Sequence, residues 1–155
     1  MNSAHIHLIL NHIPILGTIF GLLVLAAGMI ARSSLLQRTG FITFIVTAVL
    51  TIPTYLTGEP AEDVVKGLPD ISRGAIELHD QTAMIAFIIV GVLGIWALFA
   101  LWRFRRAEQV RWISGIALVL ALAGTVTMVW TAELGGRIHH QEIRPGFQAP
   151  PESEH

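Results

Sequence analysis

Long apolar stretches alternate with short polar ones along this chain. Four stretches without a charged residue cover 13–31, 39–58, 81–102 and 112–132. Each is close to the roughly 20 residues that an α-helix needs to cross the hydrocarbon core of a bilayer. Backbone amides find no water inside lipid, and the stretches lack the alternation of strands, so a β-barrel is not expected. The pattern predicts an all-α integral membrane four-helix bundle, with helices over about 6–31, 39–58, 79–103 and 110–134.

Composition also favours a membrane protein. Of the 155 residues, 53% are hydrophobic and 14% are charged, whereas a soluble domain has about 25% charged residues. The formal net charge of −1 gives no indication of nucleic-acid binding. The chain has no cysteine, which excludes disulfides, thiolate-bound clusters and cysteine nucleophiles. Any metal or cofactor must therefore be held by His, Asp, Glu or Met.

The polar segments define the organisation around the bundle. Residues 1–144 are predicted to form a single transmembrane domain, and the proline-rich polar tail 145–155 has too little apolar content to fold by itself. The segment 59–80 is the one long connection, and its AEDVVKGL stretch predicts one or two amphipathic helical turns. The other two connections are short, so the helices that they join should be antiparallel neighbours.

Arginines indicate the orientation in the membrane. Connections rich in Lys and Arg face the cytoplasm. The first apolar stretch is expected to stay as a spanning helix, because no Lys or Arg precedes it as in a cleaved signal peptide. Both termini and the 59–80 loop are therefore expected on the outer, periplasmic face of a bacterial inner membrane. The arginines of the two short connections are Arg32, Arg38, Arg103, Arg105, Arg106 and Arg111.

Six of the seven histidines fall at the ends of the predicted helices that share this outer face. His5 and His12 are seven residues apart, about 700° of rotation and roughly 10 Å of rise, whereas His7 is turned about 200° from His5. A single interfacial histidine is usually only an amphipathic surface residue. His12 differs because it lies within the membrane, where polar groups are costly, and His79 approaches the same layer. The six are His5, His7, His12, His79, His139 and His140, and the seventh, His155, lies in the tail.

Four short motifs resemble a known family: HIHLILNHIPILG at the start, TGEPAEDVV after helix 2, LHD at 78–80, and a Gly-Gly turn followed by histidine near the end. They resemble the small four-helix bacterial membrane proteins called domain of unknown function 2231. The resemblance implies the same fold. Because some relatives are fused to Rieske-type iron–sulfur domains, it also raises the expectation of electron transfer, but it assigns no ligand.

The leading hypothesis is a non-catalytic electron carrier that holds b-type haem near the outer face, with His12 and His79 as axial ligands. A second haem between His5 or His7 and His139 or His140 is a further option. Arg137 or Arg73 would meet the haem propionates. Expected partners are other membrane redox subunits or a periplasmic electron carrier, with a quinone as an open option.

Two alternatives stay open. Mixed imidazole and carboxylate ligands suit non-haem iron, copper, zinc or manganese, although the paired Glu-x-x-His motifs of ferritin-like proteins are missing. The other alternative is a cofactor-free structural subunit of a membrane complex. Arg137, four residues after Glu133, is also placed for a same-face ion pair, and the two glycines at 135 and 136 are expected to end helix 4 before His139. The candidate metal ligands are His12, His79, Glu59, Glu62 and Glu133.

Overall fold

The computed structural model describes residues 3–66, 71, 73–105 and 111–139, and almost all of them are α-helical. Residue 11 interrupts the first helical segment and residue 57 the second. In chain order the helices are α1 (Ser3–Leu10), α2 (His12–Ile30), α3 (Ser34–Leu56), α4 (Gly58–Val65), α5 (Arg73–Phe104) and α6 (Arg111–His139).

Among the described residues, four helical segments are long and apolar enough to cross a membrane, which agrees with the predicted all-α fold and its four candidate spans. They cover Ser3–Ile30, Ser34–Val65, Arg73–Phe104 and Arg111–Ile138. Each extends beyond its uncharged stretch, because polar residues at the ends continue the helix. The predicted amphipathic turns after the second stretch are present as α4, whereas the last eight residues of the 59–80 segment already belong to α5.

The four long helices α2, α3, α5 and α6 form a closed ring in which each packs against two others. The main contacts join α2 to α3, α3 to α5, α5 to α6, and α6 back to α2. Phe41 and Phe104 meet edge to face toward the end of the bundle where α5 terminates, with ring centroids 5.4 Å apart. Small alanines on α5 and α6 let these helices approach each other. The core side chains are Leu25, Phe41, Phe44, Leu93, Ala97, Ala100, Phe104, Ile113, Ala117 and Ala121.

A tight turn joins α2 to α3 and brings the two helices close together. Arg32 adopts a positive φ of 51°, and the Ser33 amide donates to the Gly28 carbonyl at 2.9 Å, the pattern of a Schellman motif. A Cβ atom on Gly28 would lie 2.7 Å from the backbone nitrogen of Gln37. The hairpin therefore needs glycine at position 28.

One buried polar contact lies at the same end as this turn. Ser114 donates to the side-chain carbonyl of Gln37 at 2.7 Å, and the Gln37 amide donates to the Gly28 carbonyl at 3.3 Å. The Gln37 and Ser114 side chains are both buried. This contact links α2, α3 and α6 inside the bundle, where water is not available to replace it.

The outward faces of the bundle are largely apolar. Exposed side chains along the spans include Leu16, Phe20, Ile95 and Val119. Apolar patches of this extent are rare on soluble monomers and match the faces of helices that lie against lipid.

Candidate functional site

The two ends of the bundle differ in chemistry, and the histidines of the described residues lie at one of them. Here α1 packs against α4, and the start of α5 meets the last turns of α6. We call this end, formed by residues 3–12, 54–66, 73–82 and 131–139, the histidine end. The histidine end adjoins the bundle core. An apolar cluster of Val65, Ile76 and Ile138 belongs to this end.

His7, on α1, points into the bundle and is held by the end of α3. Its Nδ1 atom lies 3.1 Å from the Thr54 carbonyl oxygen and 3.1 Å from the Thr57 hydroxyl. The Thr57 hydroxyl itself donates to the Thr54 carbonyl at 2.9 Å. A carbonyl oxygen can only accept, so the proton of neutral His7 sits on Nδ1. The Nε2 lone pair is therefore left available for a ligand.

His79, on α5, is held in the same manner by α6. Its Nδ1 atom donates to the carbonyl oxygen of Thr131 at 2.9 Å, and its ring lies against Gly135. The proton is again fixed on Nδ1, and Nε2 is unprotonated in the neutral ring. Histidines that bind metals characteristically donate their other ring N–H to a backbone carbonyl or a carboxylate. Both His7 and His79 thus have the orientation of metal-binding imidazoles.

These two imidazoles come from different helices, α1 and α5. They lie close enough to interact electrostatically with each other. Glu62 of α4 also lies within electrostatic reach of His79, while its carboxylate is 3.0 Å from the Lys66 ammonium. The histidine end therefore contains a pair of imidazoles on different helices, with the Glu62 carboxylate within electrostatic reach of His79.

His12 is not part of this pair, which corrects the expectation that it would face His79. Its side chain is exposed, and its Nδ1 atom bonds to the Leu8 carbonyl of its own helical turn at 2.9 Å. The predicted rotation is right, since His5 and His12 are both exposed while His7, on the opposite side, is half-buried. What was wrong was the assumption that the stripe through His5 and His12 faces the bundle.

The buried residues of α2 explain this difference. Steps of three and four residues separate its inward positions, and the same steps continued backwards reach Asn11 and then His7. His12 lies one residue, about 100°, off this stripe. The spacing of small residues was the signal in the sequence that could have identified His7. The buried residues of α2 are Pro14, Thr18, Gly21, Leu25 and Gly28.

Asn11 is a further polar residue that the sequence did not single out. It lies one helical turn after His7 on the same inward stripe, at the junction of α1 and α2. Its Oδ1 atom is buried and has no hydrogen-bond partner among the described residues. A buried acceptor of this kind is costly unless a bound group or water satisfies it, so Asn11 belongs to the polar lining of the histidine end.

The remaining candidate side chains that the structure describes are ion-paired with each other or exposed. Glu133 and Arg137 form the predicted same-face ion pair on α6, with a distance of 2.5 Å. Glu59, His5 and Arg73 are exposed. His139 is the last residue of α6, its side chain is outside the described residues, and so are His140 and His155.

The expected helix break at the two glycines does not occur. Helix α6 continues without interruption through 135 and 136 to His139. A glycine inside a helix lowers the stability of the helix but does not by itself end it. Gly135 instead provides room for the ring of His79.

The five-residue metal site predicted as an alternative is not assembled. Among the described residues, no group of three or more His, Cys, Asp or Glu side chains is placed to hold a metal ion. His12 is exposed, and Glu133 is engaged by Arg137. The arrangement offers two nitrogen ligands.

Comparisons with known proteins give no match: no family model, no curated protein and no solved structure is similar to this chain.

Proposed function

We propose that this chain is a membrane electron-transfer protein that holds one b-type haem between His7 and His79. The observation that carries the proposal is the matching orientation of two half-buried imidazoles on α1 and α5. Each donates its Nδ1 proton to a backbone carbonyl of another helix, Thr54 for His7 and Thr131 for His79. This geometry leaves the Nε2 lone pairs of two rings, which interact electrostatically with each other, without a backbone donor or acceptor among the described residues.

The number of ligands favours haem over a non-haem metal. Zinc sites take three or four protein ligands, and non-haem iron commonly takes two histidines and a carboxylate. A haem supplies four equatorial nitrogens by itself and needs only axial ligands from the protein. Two imidazoles without a third ligand among the described residues therefore fit haem better than the metal site.

The protein residues have separate roles in this proposal. His7 and His79 bind through Nε2, and their backbone acceptors hold the rings in place. The apolar cluster of Val65, Ile76 and Ile138 limits the access of water. When bound, the haem iron supplies a one-electron redox couple. Of the two arginines expected at the propionates, Arg137 is engaged by Glu133, which leaves exposed Arg73 as the better candidate.

The proposed location follows from the arginines of the two short connections. Because such connections face the cytoplasm, the histidine end would lie at the periplasmic face of a bacterial inner membrane. A haem there would exchange electrons with another membrane redox subunit, with a periplasmic carrier or with a quinone. The lipid-facing surface of α2, α3, α5 and α6 is consistent with assembly in a larger membrane complex.

The test is a reduced-minus-oxidised absorption spectrum of the purified protein. The wild type and His12→Ala should show a cytochrome b α-band, and His7→Ala and His79→Ala should lose it. His79→Met should keep haem but raise its reduction potential, because a thioether ligand favours the ferrous state. A wild type without an α-band would refute the proposal. Copper, zinc, iron or manganese bound to haem-free protein would instead support the alternative metal site.

A second candidate, a cofactor-free structural subunit, is supported by the same hydrogen bonds. His7 ties α1 to α3 and His79 ties α5 to α6, which would serve to stabilise the bundle. This candidate requires that purified complexes contain the chain without haem or metal. It also requires that His79→Gln, which keeps a side-chain donor, preserves their activity.

A further inference from the structure

The backbone acceptor of His79 lies at an unusual place. Thr131 is well inside α6, where a carbonyl normally accepts only from the amide four residues later. Side chains of a helix point back toward its N-terminus, so the side chain at position 135 would cover the carbonyl at 131. In this chain that residue is glycine, and the carbonyl is open to a second donor.

The ring of His79 occupies the space that a side chain at position 135 would fill. A Cβ atom on Gly135 would lie 3.0 Å from Cε1 and 3.2 Å from Nδ1 of His79. Both values are shorter than ordinary van der Waals contact, so any larger residue would push the ring away from Thr131. The ring now stands at hydrogen-bond distance, 2.9 Å, from that carbonyl oxygen.

His7 has no such requirement. Its acceptor, the Thr54 carbonyl, is among the last four carbonyls of α3. The last four carbonyls of a helix lack a regular intrahelical partner. The nearest glycine, Gly58, is more distant, because a Cβ atom there would lie 3.8 Å from Cε1 of His7. The two imidazoles are therefore held by different means.

We propose that Gly135 is a positioning residue for His79: it admits the imidazole to the Thr131 carbonyl and so fixes the proton on Nδ1 and the lone pair on Nε2. This role in ligand geometry rests on the proposed function. An N–H to carbonyl bond makes the opposite ring nitrogen more basic. Gly135 would thus strengthen the bond from His79 to an oxidised iron.

The experiment compares Gly135→Ala with Gly115→Ala in the full-length protein. Gly115 is a matched control, because it lies on the same helix and a Cβ atom there meets nothing within 4 Å. Alanine favours helix at both positions, so helix content by circular dichroism should be preserved. The first readout is the ¹⁵N spectrum of the histidine rings in haem-free protein, with the His79 signal identified by His79→Gln.

We expect the wild type and Gly115→Ala to show His79 protonated at Nδ1, and Gly135→Ala to show a mixture of both tautomers. The second readout is haem affinity, which should fall about 10-fold in Gly135→Ala, as is typical when a partner of a ligating histidine is lost. Its reduction potential should rise, because the less basic Nε2 stabilises ferric iron less.

The two proposals can fail separately. If the wild type binds no haem, the proposed function fails, and the ¹⁵N spectrum still decides the role of Gly135. If haem binds but Gly135→Ala has the tautomer, affinity and potential of Gly115→Ala, then Gly135 does not position His79.

Discussion

The Thr54 hydroxyl donates to the carbonyl oxygen of Leu10 across the interface between the first two spans, at 3.3 Å. Leu10 lies four residues before Pro14, and proline has no N–H with which to complete the helical ladder. The carbonyl freed by Pro14 is therefore satisfied by a residue of α3. The Thr54 hydroxyl also lies 3.0 Å from the Leu50 carbonyl of its own helix, so its single proton is shared between the two acceptors, while the Thr54 carbonyl accepts from His7.

Replacing Thr54 with valine should weaken this junction. The substitution keeps the shape of the side chain and removes the donor to Leu10, so the free energy of unfolding should fall by about 1 kcal/mol. Thr43→Val is the control, because the Thr43 hydroxyl bonds to the Thr39 carbonyl of its own helix at 3.0 Å and, among the described residues, to no neighbouring span. Unfolding in detergent micelles measures both. Equal losses would show that the bond between spans contributes nothing.

A methyl group at Gly21 should separate α2 from α3. A Cβ atom there would lie 2.5 Å from Cε1 of Phe44, which is fully buried. We expect Gly21→Ala to destabilise the protein by about 1–3 kcal/mol, as overpacked cores do.

The control for this variant is Gly91→Ala on α5, where a Cβ atom meets nothing within 4 Å. It should be neutral or stabilising by up to about 1 kcal/mol, because alanine is the better helix former. Thermal unfolding of the two variants in the same detergent compares them. A stable Gly21→Ala protein would contradict the close packing of α2 on α3.

The sequence predicted the four spans because the cost of placing charges in lipid leaves long uncharged stretches. It did not predict all of the helix ends, since α5 begins at Arg73 and not at about 79, and α6 continues to His139 and not to about 134. Helical arithmetic also placed His7 opposite His5 correctly. The stripe that faces the bundle is indicated by another signal, the three- and four-residue spacing of the inward positions of α2, which continues to His7 and not to His12.

The anchoring of the two histidines could not be predicted. Their acceptors are the backbone carbonyls of Thr54 and Thr131. Because every residue has a backbone carbonyl, the residue type at 54 or 131 does not indicate that the carbonyl accepts from a histidine. The sequence predicts a helix end at Gly135, because glycine destabilises a helix interior. In the structure the helix continues, and the absence of a side chain at 135 leaves room for the ring of His79.

The buried contact between Ser114 and Gln37 should stabilise the end of the bundle that lies opposite the histidine end. Ser114→Ala removes the donor to Gln37, and we expect a loss of roughly 0.6–2 kcal/mol, the range of polar contacts between membrane helices. The single variants Ser114→Ala and Gln37→Leu and their combination form a double-mutant cycle. A coupling energy indistinguishable from zero would show that the contact adds no stability.

The proposed orientation can be tested cleanly because the chain has no native cysteine. Asp63→Cys places an exposed thiol on α4 at the histidine end, and Ser34→Cys places one at the start of α3 beside the arginine-containing turn. In intact cells a membrane-impermeant maleimide should label the first and not the second. Both should react after the membrane is permeabilised.

The reverse labelling pattern would place the histidine end in the cytoplasm and exclude a periplasmic electron carrier as the partner. It would leave the imidazole pair intact, since His7 and His79 are held by contacts within the bundle and not by the membrane. Neither substitution removes an arginine, so the charges that direct insertion are unchanged. Labelling from both sides in one variant would mean that the arginines do not fix a single orientation.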